Sequence, residues 1–492
     1  MTLQATLSQP RAERTTTSTV AALTVLLGLV LRVASARGDL WIDEIWTLNL
    51  LTTIGSPDQI FWNISHDNNH FLNSLWMYVV GLDGTPLFYR LPSILIGGFS
   101  VMAAFRIGLR SGPPHAAIVA AFVFAIAIPF VNYGSEARGY AGLVLALLVA
   151  IHALDQALAT DASNPKPTAW NRCRWTFAVA VGLGTLSHLT MLLGAAILGC
   201  IVIIEAARRP GLRWPEKLRF LFGFFYPTPL LLLPAATAVG AGILVHGRIT
   251  IGGLSYAPDR FLTGLGGMAG ATLGMPVTTP PWIPLVTACA AVLLAWRANL
   301  LAPHRATMAG VGLVAVPILV AVVNPPNTDY PRYFLVLSVM LALMLAEACG
   351  RALATSAGRY LAPILIAAFT AGQLYQDAQL VLYGRGNVSR IVAEIAHKPG
   401  SSYAAPFSTA FQLAMNYQTY RADVVVDRIP LPLTCNVRPE WYIADASPGS
   451  ELPAETLTLG PNTCPMTFTQ VLDLPTSSLS GRHWTLFEKR PE

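Results

Sequence analysis

Two adjacent carboxylates, Asp43 and Glu44, lie in the segment Trp41–Trp46, directly after the first long apolar run of the chain. Tryptophan and isoleucine residues surround them, so each carboxylate loses hydration there, and an ionisable group in such a setting is a functional candidate by default. A carboxylate within hydrogen-bond reach of a hydroxyl group can take its proton as a general base. The competing interpretation is that both acids cap a helix.

A dense polar cluster follows, in which His66, Asp67 and His70 stand close together. All three are candidate substrate-binding residues. Two histidines four positions apart beside an aspartate also suit a divalent metal ion. Polar loops with histidines but no metal are the more common case, so we assign no metal ligand and no certain cofactor, and a divalent metal stays open.

Arginines at the ends of apolar runs form the third group. Arg90 stands just before one such run, and Arg332, with Tyr333 beside it, opens another. A guanidinium at such a boundary can bind a phosphate through two parallel hydrogen bonds, or it can extend to lipid headgroups. For Arg90 both interpretations stay open, whereas Arg332 is the better phosphate candidate.

The segment Ser135–Tyr140 contributes Glu136, Arg138 and Tyr140 as further candidate substrate-binding residues. A structural pair between Glu136 and Arg138 is slightly favoured over direct contact with a substrate.

The elements that hold these residues are predicted to be membrane-spanning helices. Of the 492 residues, 53% are apolar and 12% are charged, whereas soluble domains carry about 25% charged residues. Apolar runs recur along the chain, each long enough to cross a hydrocarbon core about 30 Å thick. The eleven predicted spans lie near 18–36, 91–109, 115–131, 140–158, 175–187, 189–206, 219–244, 283–297, 307–323, 332–349 and 360–375.

The distribution of basic residues predicts the orientation. With the N-terminus in the cytoplasm, 16 lysines and arginines fall on cytoplasmic segments, and 7 fall on the other side or within spans up to residue 375. Basic residues stay preferentially in the cytoplasm, which favours this orientation. The first run lacks a convincing cleavage site and is interpreted as a retained span. The net charge of +6 then needs no nucleic-acid partner.

The candidate residues therefore share the outer side. The first outer loop, 37–90, is rich in aromatic residues, which predicts short helices lying in the membrane interface. The rest of residues 1–375 forms the transmembrane domain.

The C-terminal region, 376–492, changes to a polar composition with strand-like runs at 423–427 and 440–444 between helix-like pieces, which predicts a small α/β domain. Cys435 and Cys464 are the two cysteines of this region, and an oxidising compartment would favour a disulfide between them.

The order of these motifs resembles the GT-C glycosyltransferases. The motifs are a first span, WIDEIW, HDNNH, YRLPS, SEARGY, PRYF and an outer α/β region. The closer resemblance is to the bacterial branch related to protein O-mannosyltransferases, to the lipid A aminoarabinose transferase and to lipopolysaccharide-core transferases that use undecaprenyl-phosphate sugars. One departure is Asn69-His70-Phe71-Leu72, where many relatives have a His-Pro-Pro-Leu element.

The resemblance implies roles for several residues. Asp43 corresponds to the catalytic base, with Glu44 as its neighbour, and Arg90, Arg332 and Tyr333 correspond to residues near the donor phosphate. It implies an inverting transfer from a polyprenyl-phosphate sugar to a lipid, glycan or protein hydroxyl at the periplasmic face of a bacterial inner membrane. The chain has no Gly-rich loop for a nucleotide sugar, which agrees with such a donor.

Three other functional classes stay open. A secondary transporter has a similar number of spans, but no paired halves stand out in this sequence. A ligase or polymerase of the O-antigen type uses the same carriers, although it normally has a large late outer loop. A structural membrane protein would not depend on Asp43.

Overall fold

The computed structural model describes residues 11–159, 167–209, 211, 213–250, 255–398, 401–406, 409–446, 454–461, 464–476 and 479–490. The first nine helices in this part of the chain are α1 (Arg11–Ser35), α2 (Ile42–Leu51), α3 (Phe71–Val80), α4 (Pro86–Ser111), α5 (Pro114–Ile126), α6 (Ile128–Tyr133), α7 (Tyr140–Leu158), α8 (Pro167–Ser187) and α9 (Met191–Arg208). The next eight are α10 (Trp214–Phe225), α11 (Pro227–His246), α12 (Pro258–Leu273), α13 (Trp282–Arg297), α14 (Pro303–Met308), α15 (Val316–Val323), α16 (Leu335–Ala352) and α17 (Gly358–Tyr383).

The helical region is that of a polytopic membrane protein. Within the described residues, seven helical segments are long and apolar enough to cross a membrane, judged by length and composition: Thr17–Ser35, Pro86–Ser111, Tyr140–Leu158, Met191–Arg208, Pro227–His246, Pro303–Val323 and Pro331–Ala352. The other four runs that the sequence predicts as spans coincide with α5, α8, α13 and α17.

Several helices are interrupted where proline removes a backbone donor. Ala127 has an extended conformation between α5 and α6, two residues before Pro129, and Tyr226 separates α10 from α11 just before Pro227. Proline lacks the amide hydrogen that a continuous helix needs, which accounts for both breaks. The segment Ala309–Ala315 is a π-helix between α14 and α15.

The segment 37–90, in which the sequence predicts short helices, contains α2, α3 and the 3-10 turn Pro57–Phe61. Helix α2 starts with Asp43 and Glu44 in its first turn, where negative charge is favoured by the helix dipole. Glu44 also accepts a hydrogen bond from the Trp41 amide at 3.0 Å, which satisfies one of the donors that a helix start leaves unpaired. The two acids are thus part of the reason why the helix begins where it does.

Helix α12 brings a later outer segment against the entry to α16. The carbonyl oxygen of Thr328 lies so close to Gly264 that any side chain there would overlap it, and the Pro281 carbonyl leaves no room for a side chain at Gly266. Glycines thus let α12 lie directly against the backbone of its neighbours. This packing supports the 3-10 turn Pro331–Phe334, which carries Arg332.

The C-terminal region forms one mixed sheet with two helices. The elements are α18 (Val388–Ala396), β1 (Ser402–Ala404), α19 (Thr409–Ala422), β2 (Asp427–Ile429), β3 (Trp441–Ala446), β4 (Thr456–Leu459), β5 (Met466–Leu474) and β6 (His483–Lys489). Across the sheet the strands lie in the order β2-β1-β3-β6-β5-β4. Strand β1 pairs parallel with both β2 and β3, and the pairs β3–β6, β6–β5 and β5–β4 are antiparallel. A disulfide joins Cys435 to Cys464, with Cα atoms 5.6 Å apart.

The strand-like run predicted at 440–444 is β3, whereas the run at 423–427 is strand only from residue 427 onwards. The predicted boundary at residue 375 falls inside α17, which continues to Tyr383. Buried apolar residues of α2 and of α18, α19 and β3 share one hydrophobic cluster. The C-terminal region therefore packs directly on the first outer loop.

Candidate active site

Four separate segments meet around Asp43. They are the start of α2, the polar cluster at residues 66–70, the loop Gly134–Gly139 between α6 and α7, and the 3-10 turn Pro331–Phe334. Asp43 Oδ2 lies 2.6 Å from Arg138 Nη1 and 3.5 Å from Arg332 Nη2. Its side chain keeps 16% of its surface exposed. Asp43 is thus a solvent-accessible carboxylate held between two arginines.

Glu44 occupies the opposite environment. Its side chain is fully buried and forms a two-pronged pair with Arg90, with Nη2 at 2.5 Å and Nε at 2.9 Å. The Ala137 amide donates a further hydrogen bond to Glu44 Oε1 at 2.6 Å. Burial by itself would raise the pKa of Glu44, but the charge and hydrogen bonds of Arg90 outweigh it and lower the pKa. Glu44 is therefore an ionised structural residue.

Arg90 has no N–H group left for a ligand. Besides Glu44, its guanidinium donates to the carbonyl oxygens of Ala36, Gly38 and Asp39 at 2.7 to 3.3 Å. The side chain is fully buried. These bonds fix the chain between α1 and α2 against the start of α4. The prediction that Arg90 binds the donor phosphate thus has no support in this geometry.

Arg138 bridges Asp43 to the polar cluster. Its Nη2 donates to Asn68 Oδ1 at 2.7 Å, and its guanidinium lies 4.9 Å from the Tyr140 ring and 5.8 Å from the Trp41 ring. Stacking of this kind stabilises a guanidinium and fixes its plane. Arg138 Nε is buried and makes no hydrogen bond within the protein. Arg138 is thus fixed in position, and its Nε–H group has no partner among the described residues.

Arg332 contacts the same oxygen of Asp43 as Arg138, Oδ2. Its guanidinium lies 4.3 Å from the Tyr330 ring, 5.7 Å from Tyr333 and 5.8 Å from Trp41. The contact with Asp43, at 3.5 Å, is an ion pair without a close hydrogen bond. Because 16% of the side chain is exposed, Arg332 can reach a ligand at the protein surface. The sequence named Arg332 and Tyr333, but it gave no sign that Trp41 lies between two guanidinium groups.

His66 and Asp67 pair with each other at the edge of this site. His66 Nδ1 lies 2.9 Å from Asp67 Oδ1, and the His66 ring packs on Trp46 with ring centroids 5.2 Å apart. The backbone of Asp67 is tied to the Thr250 carbonyl at 3.0 Å. These two residues therefore line the approach to Asp43 without touching it.

His70 lies deeper, in a stack of aromatic rings. It stacks on His188 with centroids 4.6 Å apart, and His188 in turn lies 4.5 Å from Tyr140. Since the Arg138 guanidinium lies over the Tyr140 ring, the stack supports the arginine that pairs with Asp43. The position of His188 between two predicted spans, 175–187 and 189–206, gave no sign of this contact.

Both histidines of the stack are neutral at physiological pH. Burial, together with the charge of nearby arginines, lowers the pKa of His188 to about 3. Burial, followed by the neighbouring His188 and the charges of Arg138 and Arg332, places the pKa of His70 well below its usual range. His188 Nδ1 accepts hydrogen bonds from Thr190, so its proton is assigned to Nε2. The rings therefore support Arg138 without adding to the positive charge.

Glu136 points away from Asp43 towards the C-terminal region. Its Oε1 accepts hydrogen bonds from Asn132 Nδ2 at 2.9 Å and Ser480 Oγ at 2.5 Å, and lies 3.3 Å from Arg385 Nε. The predicted pair between Glu136 and Arg138 is therefore replaced by one between Glu136 and Arg385. Sequence reasoning missed Arg385 and Ser480, because contacts between residues so far apart leave no local pattern.

A resident divalent metal does not fit this arrangement. His66 and His70 face different partners, and within the described parts of the chain no three His, Cys, Asp or Glu side chains form a cluster that could hold an ion. Asp43 already faces two guanidinium groups, which would repel a cation. The chemistry open to the site is proton transfer at Asp43 and binding of an anion at the arginines.

The fold is similar to solved GT-C membrane glycosyltransferases. The match to ArnT from Cupriavidus metallidurans in the apo state has a TM-score of 0.51 at 12% identity and covers 94% of this chain and 97% of that one. ArnT has also been solved bound to undecaprenyl phosphate, with a TM-score of 0.48. The apo oligosaccharyltransferase of Archaeoglobus fulgidus gives 0.50 at 11% identity and covers 85% of this chain.

The S. cerevisiae protein O-mannosyltransferase Pmt1-Pmt2 complex, bound to its sugar donor, gives a TM-score of 0.34 at 14% identity over 50% of this chain. This chain spans 36% of the yeast protein and 64% of the archaeal one. No protein-family model and no curated protein sequence matches the chain.

Proposed function

We propose that this chain, which has the fold of GT-C membrane glycosyltransferases, is an inverting glycosyltransferase. The donor is a sugar linked to a polyprenyl phosphate, and the acceptor is a hydroxyl group of a lipid, lipopolysaccharide, cell-envelope glycan or protein. The observation that carries the proposal is the accessible carboxylate of Asp43 between Arg138 and Arg332.

The charge of the site suits a phosphate leaving group. In each of the two buried pairs described above, Glu44 with Arg90 and Glu136 with Arg385, the negative and positive charges cancel. Arg138 and Arg332 then face the single carboxylate of Asp43, which leaves an excess of positive charge next to the accessible site. Guanidinium groups bind phosphate oxygens with charge-assisted hydrogen bonds, and they are most effective where charge develops during a reaction.

The proposed reaction begins when Asp43 takes the proton of the acceptor hydroxyl. The acceptor oxygen attacks the anomeric carbon from the face opposite the phosphate, and the bond from that carbon to the phosphate oxygen breaks. Its electron pair leaves with the polyprenyl phosphate, whose charge is held by Arg332 and Arg138.

An apolar groove beside Arg332 supports a lipid-linked donor. It lies between α12, α17 and the turn at Pro331, and glycine and proline residues line much of it. Leu479 of the C-terminal region closes one side. A phosphate at Arg332 would place the first isoprene units of its lipid next to this groove.

The site also fits the predicted topology. We propose eleven spans, with the N-terminus in the cytoplasm and the C-terminal region in the periplasm of a bacterial inner membrane. Asp43, Arg138 and Arg332 would then open towards the periplasmic face. We assign the transmembrane domain to residues 1–375 with α17 extending beyond it, and the periplasmic α/β domain to the remaining residues up to 492.

The test is sugar transfer by the purified protein from synthetic polyprenyl-phosphate sugars to a membrane extract. We expect Asp43→Asn to lose transfer by roughly 100- to 10,000-fold, the range for a general base, while its thermal melting stays that of the wild type. Arg332→Met should raise the KM for the donor, and exposed Arg390→Met serves as the matched control.

Equal transfer by wild type and Asp43→Asn would remove Asp43 from the mechanism. If neither protein transfers sugar from any of several carriers, transport or ligation becomes the better hypothesis.

A further inference from the structure

The loop Gly134–Gly139 is held from two sides by different parts of the chain. On the side of α2 and α3, the Ala137 amide donates to Glu44, and the Ala137 carbonyl accepts from Asn73 Nδ2 at 2.5 Å. On the other side, the Glu136 carboxylate projects into the C-terminal region. Arg138, two residues further on, points back to Asp43. The loop thus connects the C-terminal region with the candidate base.

Arg385 is the main contact on the C-terminal side. It is almost fully buried, and its Nε lies 3.3 Å from Glu136 Oε1. Its two other nitrogens donate to the carbonyl oxygens of Ser35 and Asn132 at 2.9 and 2.8 Å, and to Ser135 Oγ. The guanidinium therefore fastens the end of α1 and the start of the loop to one point of the C-terminal region.

Ser480 and two glycines complete this contact. Ser480 donates to Glu136 at 2.5 Å. A side chain at Gly481 would overlap the Arg385 carbonyl, and one at Gly386 would meet the Trp484 ring. The chain before α18 and the chain before β6 therefore approach Glu136 together, so the two ends of the C-terminal region act as one unit.

Glu136 is a buried carboxylate that needs a positive partner. Burial raises the pKa of Glu136, and the charges of Arg385 and Arg138, in that order, partly offset the rise. A buried charge left without its partner is strongly unfavourable. Arg90 also feels the charge of Glu136, but its N–H groups are all bonded to Glu44 and to backbone carbonyl oxygens. If Arg385 lost its charge, Arg138 would therefore be the cation able to turn to Glu136, and this move would take it from Asp43.

We propose that Arg385 is a positioning residue: by neutralising Glu136 it leaves Arg138 free to hold Asp43 and the donor phosphate. Arg385 then acts on the reaction without contacting the substrate. This inference rests on the proposed function through the role of Asp43. Whether Arg138 pairs with Asp43 or with Glu136 can be measured separately.

The test compares three variants of the full-length protein. Arg385→Met removes the charge and keeps most of the side-chain volume, and we expect kcat to fall by roughly 100-fold, as for a misplaced catalytic contact. Arg385→Met combined with Glu136→Gln removes both charges and should recover most of that loss. Arg385→Lys keeps a charge beside Glu136 but loses the planar fork, and should also stay close to wild type.

A purely structural role predicts a different pattern. If Arg385 acts only through its bonds to the carbonyl oxygens of Ser35 and Asn132, the double variant and the lysine variant lose as much activity as Arg385→Met, and the proposal is wrong. Because the double variant and the lysine variant can each be compared directly with wild type, they decide the question even if Arg385→Met does not fold. Arg490→Met, at an exposed arginine of the same region, is the matched control and should leave kcat unchanged.

A second measurement does not depend on activity. In a structure of Arg385→Met determined by cryo-electron microscopy, we expect the Arg138 guanidinium to be paired with Glu136 and more than about 4 Å from Asp43, beyond ion-pair range. Arg138 still bonded to Asp43 would overturn the inference, whether or not the protein transfers sugar. Absence of transfer by the wild type, with Arg138 displaced in the variant, would count against the proposed function and leave this coupling intact.

Discussion

Asp43 and Glu44 differ in their surroundings more than in their chemistry. Neighbouring residues on a helix point about 100° apart, as follows from 3.6 residues per turn. At the first turn of α2 this rotation directs Asp43 to the protein surface and Glu44 into the interior. The partly exposed acid has two cations beside it, whereas the buried acid is saturated by hydrogen bonds. The two carboxylates are therefore suited to different tasks, one to proton transfer and one to holding the fold.

This difference predicts opposite effects of matched substitutions. Glu44→Gln leaves the Arg90 charge buried without a partner, which typically costs about 3–5 kcal/mol. We therefore expect a large loss of thermal stability in detergent for Glu44→Gln and little change for Asp43→Asn. The double variant Glu44→Gln with Arg90→Met should be more stable than Glu44→Gln alone. Equal melting of Glu44→Gln and wild type would contradict the assignment.

The neutral histidines predict a pH dependence of stability. The folded-state pKa of His188 is lowered from 6.5 to about 3, so the unfolded chain binds the proton first as the pH falls. Stability from this group is complete above pH 6.5 and is lost below it, by roughly 2 kcal/mol between pH 6.5 and pH 5 at 1.36 kcal/mol per unit.

We therefore expect His188→Phe, which keeps an aromatic ring in the stack, to lose less thermal stability than wild type between pH 7 and pH 5. The measurement is the melting temperature of both proteins at the two pH values. Parallel losses would show that His188 does not carry the effect.

At the level of elements, the short loop before α7 depends on close packing against the turn after α8. A side chain at Gly139 would overlap the carbonyl group of Ser187 and approach the His70 side chain. Gly139 has ordinary helical dihedral angles, so space and not backbone strain requires glycine there. The position of Arg138, one residue earlier, follows from this contact.

Gly139→Ala should therefore separate the loop from the α8–α9 turn. Overpacking of this kind costs about 1–3 kcal/mol, and we expect a lower melting temperature together with a lower kcat. Gly199→Ala is the control, because a side chain at Gly199 meets no other atom within 4 Å. A similar small change in both variants would argue against a packing role for Gly139.

Apolar length predicted most of the helices, since all eleven predicted runs coincide with helices. Apolar length did not predict α12, which lies in the segment between the predicted spans 219–244 and 283–297. Four glycines between residues 264 and 270 weaken its intrinsic helix propensity, and contacts with Pro281 and Thr328 stabilise it instead. Such support comes from distant parts of the chain and leaves no local pattern.

For the whole molecule, the C-terminal region is part of the site's framework. Sequence motifs pointed to Asp43, Arg138 and Arg332, because charged residues at the ends of apolar runs are rare enough to stand out. They could not show which arginine pairs with which acid. Glu136 and Arg385 are 249 positions apart, and only the folded chain brings them together.

The disulfide of the C-terminal region should affect its stability more than the site chemistry. Cys435 and Cys464 are 29 positions apart, and a loop of that length corresponds to roughly 3–4 kcal/mol in the chain-entropy model. We expect the Cys435→Ser, Cys464→Ser double variant to melt at a lower temperature with nearly unchanged KM. Reductant should lower the melting temperature of wild type towards that of the variant and leave the variant itself unchanged.

The site draws residues from nearly the whole length of the chain, from Asp43 in the first outer loop to Ser480 before the last strand. During synthesis the candidate base emerges early, hundreds of residues before the partners that complete its surroundings. A chain whose C-terminal region is still incomplete lacks Arg385 and Ser480 as partners of Glu136. On the proposed function, we expect such a chain to be inactive, so that activity is acquired only after the last strand, β6, has been synthesised.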